Sequence, residues 1–490
     1  MGILSLLLWT PALGVLVLIF APNQNTQAIR IIANFFTTVT LLLSFWILHL
    51  YQQNTAELQF NEYFPLNPNL GSAYALGVDG LSMPMLLLGT LLTSIALLAS
   101  YPRTENVKGY YLSILLLEFG LLGVFLAQDW ALFYIAWELT LIPLFFLIGR
   151  WGGKRRHAAS LNFVLYTMVG SVFMLMSLLA ISQYDLQQAG SLMSTMHQAA
   201  KDMPRNEQIL VLLGFLIGFG VKIPIFPLHG WLPLAHVEAP SPVSILLSGV
   251  LLKMGAYGLI RAVNMLPEAA HILQPLLISL ALFGMIYGGL LAWRQTDLKA
   301  MIAYSSLSHM GIVLLGIASL NQMGLTGAVL QMTAHGLISG ALFLLIGLLY
   351  ERTHTRNIQD FGGLIHSMPR FALLISLALL GAMGLPGTFG FIAELHALMG
   401  GFQQWGVLMI LFSITVLISA AYAMRSINLL LLGPDKANKF NLTDLNGREQ
   451  LAAGILVISI IGLGLIPSPV IELSATTINT MINQISQRLL

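Results

Sequence analysis

The most regular feature of the sequence is a series of apolar stretches separated by short polar segments. Because about 20 apolar residues cross the hydrocarbon core of a membrane as a helix, each stretch predicts one transmembrane span. The pattern predicts fourteen spans, at 3–20, 31–50, 81–100, 110–127, 130–148, 159–182, 209–226, 242–260, 271–293, 301–320, 327–350, 371–398, 405–432 and 451–466. Since fourteen is even, both termini are expected on the same side.

The segment 468–490 after the last span has a different pattern. Its apolar residues recur at helical spacing with polar residues between them: Ile478, Met481, Ile482, Ile485 and Leu489. This pattern favours an amphipathic helix in the membrane interface, and a frayed tail is the alternative.

Composition strengthens the membrane prediction and excludes other classes. Of the 490 residues, 57% are hydrophobic and 9% charged, whereas about a quarter of the residues of a soluble protein are charged. Cysteine is absent, which excludes disulfides and thiolate metal sites. We find no nucleotide-binding glycine motif, and the net charge of +2 includes no basic run suited to nucleic acid. We therefore expect an all-α polytopic membrane protein without a cofactor or metal of its own.

Basic residues predict how the chain is oriented. Fifteen lie in segments after odd-numbered spans: Arg30, Arg103, Lys108, Arg150, Lys154, Arg155, Arg156, Arg294, Lys299, Arg352, Arg356, Arg370, Lys436, Lys439 and Arg448. Four lie after even-numbered spans: Lys201, Arg205, Arg261 and Arg488. The positive-inside rule places the first set in the cytoplasm or stroma, with both termini on the lumenal or periplasmic side.

Six charged residues remain inside predicted spans: Glu118, Glu138, Lys222, Lys253, Glu394 and Arg425. Each costs about 2.5–3.5 kcal/mol to insert, so we expect them to have a role. Their function would be an ion or proton path, and the alternative is a buried structural ion pair or snorkelling from a span end. The path is favoured for all except Glu118 and Arg425, for which both interpretations stay open.

Two of these residues lie beside helix breakers. Lys222 lies in GFGVKIPIFPLHGWLP and Glu394 in GLPGTFGFIAELHAL. Proline removes a backbone donor and interrupts a helix, so spans 7 and 12 are predicted to be broken. Broken spans in corresponding places of two halves are typical of transporters built from repeats.

Residue spacings also indicate a repeat. Three intervals are nearly equal: 172 residues from 222 to 394, 171 from 138 to 309, and 172 from 253 to 425. We infer peripheral spans 1–3 in 1–100, a first five-helix repeat in 110–260, a second in 271–432, and span 14 with the tail in 451–490. An odd number of helices per repeat inverts the second repeat relative to the first.

These residues form a hypothetical proton path. Burial disfavours a charged lysine and a nearby carboxylate favours it, so the separation from Glu138 can switch the proton on Lys222. Lys253 is the next acceptor, and a neutral imidazole can relay because it both donates and accepts. His309, which lies on a polar stripe, and His335 are the candidate relays. For His335 the alternative is a structural role as a buried histidine whose hydrogen bonds are satisfied. Glu394 is the terminal site.

The segment after the seventh span, HGWLPLAHVEAP, contains further polar residues. His229, His236 and Glu238 would form an entrance to the path or cap a re-entrant segment, and capping is favoured. A metal site is not expected from these residues. Lys299 is predicted to snorkel or to orient its span rather than to relay protons.

Four segments resemble the antiporter-like subunits of complex I: 137–160, 221–261, 297–311 and 384–395, which read WELTLIPLFFLIGRWGGKRRHAAS, VKIPIFPLHGWLPLAHVEAPSPVSILLSGVLLKMGAYGLIR, DLKAMIAYSSLSHMG and GLPGTFGFIAEL. The acid Glu394 indicates the subunit 4 branch (M in bacteria, D in cyanobacteria and plastids), and WGGKRRHAASLNFVLYT is most similar to cyanobacterial and plastid members. The resemblance implies the fourteen-helix inverted-repeat fold, with Glu138 and Lys222 as the pair, Lys253 as the central lysine, Glu394 as the terminal acid, and His309 and His335 on the hydrated axis.

One position departs from the family pattern. Members often read LPDAH where this chain has Leu234, and the sequence leaves open a specialised variant for inorganic-carbon uptake.

The resemblance implies a proton-translocating subunit of an NAD(P)H- or ferredoxin-quinone (plastoquinone) oxidoreductase in a cyanobacterial thylakoid, a plastid thylakoid or a bacterial inner membrane. The complex would be a translocase, with no redox chemistry in this chain. Expected partners are the other membrane-arm subunits, lipid, protons and internal water, but not nucleic acid. The alternatives are an Mrp-type cation/proton antiporter and a non-transporting scaffold.

Overall fold

The fold is described from a computed structural model, which covers residues 2–67, 71–100, 105–185, 190–434, 436 and 442–489. The predicted basic-loop residues Arg103 and Lys439 lie outside the described residues. Helices of the first half are α1 (Ile3–Phe20), α2 (Thr26–Leu50), α3 (Ser82–Ala99), α4 (Val107–Leu126), α5 (Trp130–Leu139), α6 (Leu141–Trp151), α7 (Arg156–Ser182), α8 (Met193–Asp202), α9 (Arg205–Lys222), α10 (Trp231–Glu238), α11 (Ser241–Leu246) and α12 (Leu252–Met265). Those of the second half are α13 (Pro267–Arg294), α14 (Leu298–Ala318), α15 (Gln322–Thr353), α16 (Leu364–Ser367), α17 (Pro369–Ala382), α18 (Phe389–Trp405), α19 (Met409–Leu431), α20 (Gly447–Leu465) and α21 (Ser468–Leu489).

The helical content confirms the prediction of an all-α polytopic membrane protein. Within the described residues, twelve helical stretches are long and apolar enough to cross a membrane. One of these stretches, Phe389–Leu431, contains two helices, α18 and α19. Helix α9 is a further span, although it carries the charged residues Arg205, Glu207 and Lys222. The architecture therefore agrees with about fourteen spans.

Both predicted helix breaks are present. Helix α9 ends at Lys222, and the chain resumes as α10 only at Trp231. Helix α17 ends at Ala382 and α18 begins at Phe389, with Gly384 and Gly387 between them at φ of +70° and +93°. Such angles favour glycine, so the GLPG sequence accounts for the second break.

Two further irregularities lie in spans that carry candidate residues. Span 5 is divided at Thr140 into α5 and α6, where Pro143 cannot donate to the carbonyl of Leu139. Span 8 contains a π-helical turn, Leu247–Leu251, between α11 and α12. A π turn changes the hydrogen bonding of the backbone around it, and this one directly precedes Lys253.

The centre of the molecule is formed by α14, α15 and span 8, whose residues are almost all buried. These helices carry Lys253, His309 and His335. Helices α2, α7 and α20 present apolar side chains outward, as lipid-facing helices do. Lys253, His309 and His335 are thus in the most deeply buried part of the structure.

Some ordered elements were not predicted. An antiparallel hairpin of β1 (Gln59–Asn67) and β2 (Ser72–Val78) precedes α3, and α8 is a short helix before the seventh span. The tail, by contrast, was predicted as a helix and is one, α21, whose Thr477 hydroxyl accepts from the Gly80 amide at 3.0 Å; its place in the membrane interface stays a prediction. We use the name tail face for the side of the molecule with the start of α3 and the tail helix. The opposite side is called the basic face.

Candidate functional site

Four predicted residues form a buried chain of contacts through the centre of the molecule. Lys253 Nζ lies 2.7 Å from His335 Nδ1 and donates to the Ser248 carbonyl at 2.6 Å. Ser248 lies in the π turn, so the irregular helix supplies an acceptor for the lysine. With 0% exposure of Lys253, these two contacts replace the water that the amine loses on burial.

The chain continues from His335 to His309. Their ring centroids are 5.7 Å apart. One water molecule or a ring rotation can bridge that separation. Two polar neighbours hold His309: Tyr422 Oη lies 3.1 Å from its Nε2, and Gln331 Nε2 lies 3.2 Å from its Nδ1. The relay histidine therefore has a fixed position between α15 and α19.

Glu394 ends the chain. Its Oε1 lies 3.5 Å from His309 Nδ1, and the residue is 5% exposed. One proton can lie on either group, because the imidazole and the carboxyl face each other. The break between α17 and α18 passes directly beside the carboxyl: a Cβ on Gly384 would lie 2.5 Å from Glu394 Oε2.

Lys222 and Glu138 form no ion pair in this conformation. Lys222 Nζ donates to the Thr140 hydroxyl at 3.2 Å and to the Trp137 carbonyl at 3.5 Å, and lies 3.8 Å from the centroid of the Trp137 ring. Glu138 Oε1 is buried without a hydrogen-bond partner in the described chain. The two groups are therefore separated in this structure, and their action as a switch stays a prediction.

Glu138 lies at the periphery of the structure, unlike the four residues of the buried row. It lines an apolar cleft of about 690 Å³ with Tyr134, Phe145 and Met168 from α5, α6 and α7. The first predicted pair thus has one member in the interior and one at an outer surface.

Hydrogen bonds do not connect Lys222 to Lys253. The partners of the two amines within the described residues are those given above. Their helices nevertheless pack closely, since a Cβ on Gly255 would lie 2.8 Å from the Phe219 carbonyl. The buried side chains follow one another from Lys253 to Glu394, with a ring contact but no direct hydrogen bond between His335 and His309, and no such contact extends the row to Lys222.

The prediction that the residues after span 7 cap a segment is wrong for His236. This side chain is 0% exposed, neither ring nitrogen has a hydrogen-bond partner in the described structure, and it stacks on Phe343 at 4.7 Å. Glu238 instead accepts from the Arg155 amide at 2.9 Å. The sequence shows that both residues are polar. It does not show that His236 is buried while Glu238 binds the loop before α7.

Of the two predicted roles of Lys299, the structure excludes snorkelling, and orienting its span stays a prediction. Lys299 is 3% exposed, and its ammonium donates to the Ala239 carbonyl at 2.8 Å, so it does not snorkel. A cleft of about 450 Å³ on the basic face is lined by Lys299, Glu238, Glu351 and Arg356.

Arg425 has a structural position. Its guanidinium donates to the carbonyls of Trp293 and Gln295, at 2.7 and 3.0 Å, where α13 ends. A cation at a helix C-terminus compensates the unpaired carbonyls there. The repeat spacing that matched it to Lys253 therefore does not indicate a shared role.

The described residues contain no group of three or more His, Cys, Asp or Glu side chains suited to a metal ion. The arrangement can hold and transfer protons, since its members are amines, imidazoles and carboxyls in a buried row.

Together the broken spans and the buried row of lysine, histidine and glutamate define an antiporter-like membrane subunit. Residues 127–419 match the family described as NADH:quinone oxidoreductase/Mrp antiporter, transmembrane. The chain belongs to this family, and its resemblance to the subunit 4 branch of complex I is confirmed by the relatives that follow.

Two curated relatives span nearly all of the chain. NAD(P)H-quinone oxidoreductase chain 4 1 of Picosynechococcus sp. is 41% identical over 95% of this chain and 88% of its own length. The chloroplastic NAD(P)H-quinone oxidoreductase chain 4 of Chlorokybus atmophyticus is 37% identical over 99% of this chain and 96% of its own. A chain of respiratory complex I from Thermus thermophilus with bound NADH superimposes with a TM-score of 0.89 at 30% identity, covering 98% of this chain and 99% of that one.

Proposed function

We propose that this protein moves protons across the membrane as a membrane-arm subunit of an NAD(P)H- or ferredoxin-quinone oxidoreductase. The observation that supports this most directly is the buried row in which Lys253, His335, His309 and Glu394 follow one another in contact. The names of the curated relatives support the complex.

In this proposal Lys253 gives its proton to His335 Nδ1, His335 passes a proton to His309, and His309 protonates Glu394. Each imidazole accepts on one nitrogen and releases from the other, so each is left as its other tautomer and must turn or exchange its proton before the next transfer. Lys222 supplies the next proton when its distance to Glu138 increases.

The chain itself supplies no driving force. Moving a charge against 100 mV requires about 2.3 kcal/mol, which redox chemistry in other subunits would provide. A thylakoid location in a cyanobacterium or plastid accords with the relatives, and the neighbours of this chain would be further membrane-arm subunits. On the basic-loop distribution, the termini lie on the lumenal side.

The test is the number of protons moved per quinone reduced by the assembled complex in vesicles. Lys253→Met and Glu394→Gln each interrupt the buried row and are expected to lower this ratio, because the loss of a proton-transfer group slows the transfer by about 10²–10⁴-fold. His396→Gln, two residues from Glu394 with its ring at the Ile392 carbonyl, is the matched control and should keep the wild-type ratio. Full coupling in both path variants would refute the proposal.

The second candidate function is Mrp-type cation/proton antiport, because the matched family includes Mrp antiporters. Proton movement that depends on sodium would favour it, whereas an unchanged ratio without sodium would exclude it. An assembled Glu394→Gln complex that no longer pumps would exclude a mere scaffold.

A further inference from the structure

Gln331 is a buried amide beside the relay histidines that the path above does not use. It lies on α15, one turn before His335, and is 1% exposed. Its Nε2 lies 3.2 Å from His309 Nδ1, whereas its Oε1 has no hydrogen-bond partner in the described residues. One end of the amide is thus directed at the relay histidine, and the other end is unused in this conformation.

The contact with Gln331 fixes which nitrogen of His309 carries the proton. An amide nitrogen can only donate, so His309 Nδ1 accepts and has no proton of its own. The proton of the neutral imidazole is therefore on Nε2, which donates to Tyr422 Oη at 3.1 Å. Glu394 Oε1 also faces Nδ1, at the longer distance of 3.5 Å. In the proposed path, this tautomer is the one that remains after His309 has passed a proton from Nδ1 to Glu394.

Both neighbours of His309 can also hold the opposite tautomer. A half-turn of the Gln331 amide places an oxygen where the nitrogen was, because the two ends have nearly the same shape. Since Oε1 has no other partner in the described residues, the turn costs no further hydrogen bond among them. The Tyr422 hydroxyl can donate as well as accept. His335 differs, because its Nδ1 faces the Lys253 amine, and a charged lysine can only donate.

We propose that Gln331 is a positioning residue that stabilises His309 both before and after it gives a proton to Glu394. While Nδ1 carries the proton, the amide oxygen accepts from it. The proton then leaves Nδ1 for the Glu394 carboxylate, which becomes a carboxyl, and the amide turns so that its N–H donates to the bare nitrogen. Because Nδ1 has a single lone pair, this bond also blocks the return of the proton. The inference rests on the proposed function and adds to it a residue that acts through His309.

The test measures protons moved per quinone reduced by the assembled complex in vesicles. Gln331→Met keeps an unbranched, flexible side chain but supplies no amide to donate or accept. The transfer from His309 should slow by about tenfold, which is the effect of one lost hydrogen bond at a buried group, and the ratio should fall toward that of Lys253→Met. Thr333→Val, on the same helix with its hydroxyl bonded to the Val329 carbonyl, is the matched control and should keep the wild-type ratio.

Gln331→Glu separates hydrogen bonding from packing through its pH profile. A protonated carboxyl both donates and accepts like the amide, whereas a carboxylate only accepts. This variant should therefore pump at the lower end of the working pH range, and its ratio should fall as the pH rises unless burial keeps the carboxyl protonated throughout. The comparison is with the wild type at each pH, because both proteins share the titratable groups around this position: Lys253, His309, His335, Glu394 and Tyr422.

A wild-type ratio in an assembled Gln331→Met complex would overturn the inference. An equal loss in the methionine and glutamate variants at every pH would also overturn it, because that result would show a packing role. If Lys253→Met and Glu394→Gln still lose pumping in either case, the proposed function stands without Gln331; if they too pump normally, both fail.

Discussion

Gly384 shows how one residue without a side chain positions the terminal acid of the proposed path. It has a φ of +70°, and any Cβ there would come 2.5 Å from Glu394 Oε2. We expect Gly384→Ala to displace the carboxyl away from His309 and to lower the number of protons moved per quinone reduced. Backbone strain should destabilise the fold by about 1–2 kcal/mol in addition.

The neighbouring glycine separates these two effects. Gly387 has a φ of +93°, but nothing lies within 4 Å of the position of its Cβ. Gly387→Ala therefore introduces strain in the same break without contacting the acid. The two variants should lose thermal stability to a similar extent, and only Gly384→Ala should lose most of its coupling. Equal coupling in both variants would contradict this assignment.

At the residue scale, sequence reasoning identified the members of the buried row but not their connections. Charge in an apolar run marks Lys253 and Glu394 because inserting them is costly. Nothing in the letters shows that His236 turns inward, or that Arg425 reaches the end of α13. The position of each side chain depends on which neighbouring groups it meets, such as the free carbonyls at the end of α13 for Arg425. Only the tertiary packing determines which groups these are.

At the element scale, the tail helix meets α8 through a contact that should depend on pH. Arg488 Nη2 lies 3.1 Å from His197 Nε2. Burial, and then the charges of Arg488 and Lys201, lower the pKa of His197 from 6.5 to about 4. Between these values a free histidine binds a proton and the docked one does not. Docking is therefore complete above pH 6.5 and weakens as the pH falls toward about 4.

A spin label on the tail can measure this change, because the chain has no native cysteine. The label at Gln487→Cys should become more mobile as the pH is lowered through that window. His197→Gln removes the titrating group and should abolish the pH dependence. If the label kept its pH response in that variant, another group, such as Glu268 near Arg488, would be responsible.

Element types were predicted best where one strong signal controls them. The length of the apolar stretches predicted the spans, and the GLPG sequence predicted the break before α18. The hairpin β1–β2 was missed because it lies in a mixed polar segment and is held by a neighbouring loop, where the Gln128 amide donates to the Ala75 carbonyl at 2.9 Å. The residues of the π turn before Lys253 suit an ordinary helix equally well, so the sequence does not predict this turn.

At the scale of the whole molecule, the buried row runs across the boundary between the two halves of the chain. Lys253 belongs to the first half, whereas His309, His335 and Glu394 belong to the second. A rearrangement of one half relative to the other would change the contact between Lys253 and His335 first. If the chain moves protons as proposed, this contact is the place at which motion in other subunits would control the transfer.

The orientation of the molecule is a prediction that single cysteines can test, since none must first be removed. Asn54 and Gln487 are exposed on the tail face, and Lys154 is exposed on the basic face. If basic loops face the cytoplasm or stroma, a membrane-impermeant thiol reagent outside inverted vesicles should label Lys154→Cys and leave the other two cysteines unlabelled. Vesicles of the opposite orientation should give the reverse result. Labelling of Asn54→Cys but not Lys154→Cys in the inverted vesicles would contradict the orientation. Labelling of both from one side would contradict their position at opposite ends of the spans between them.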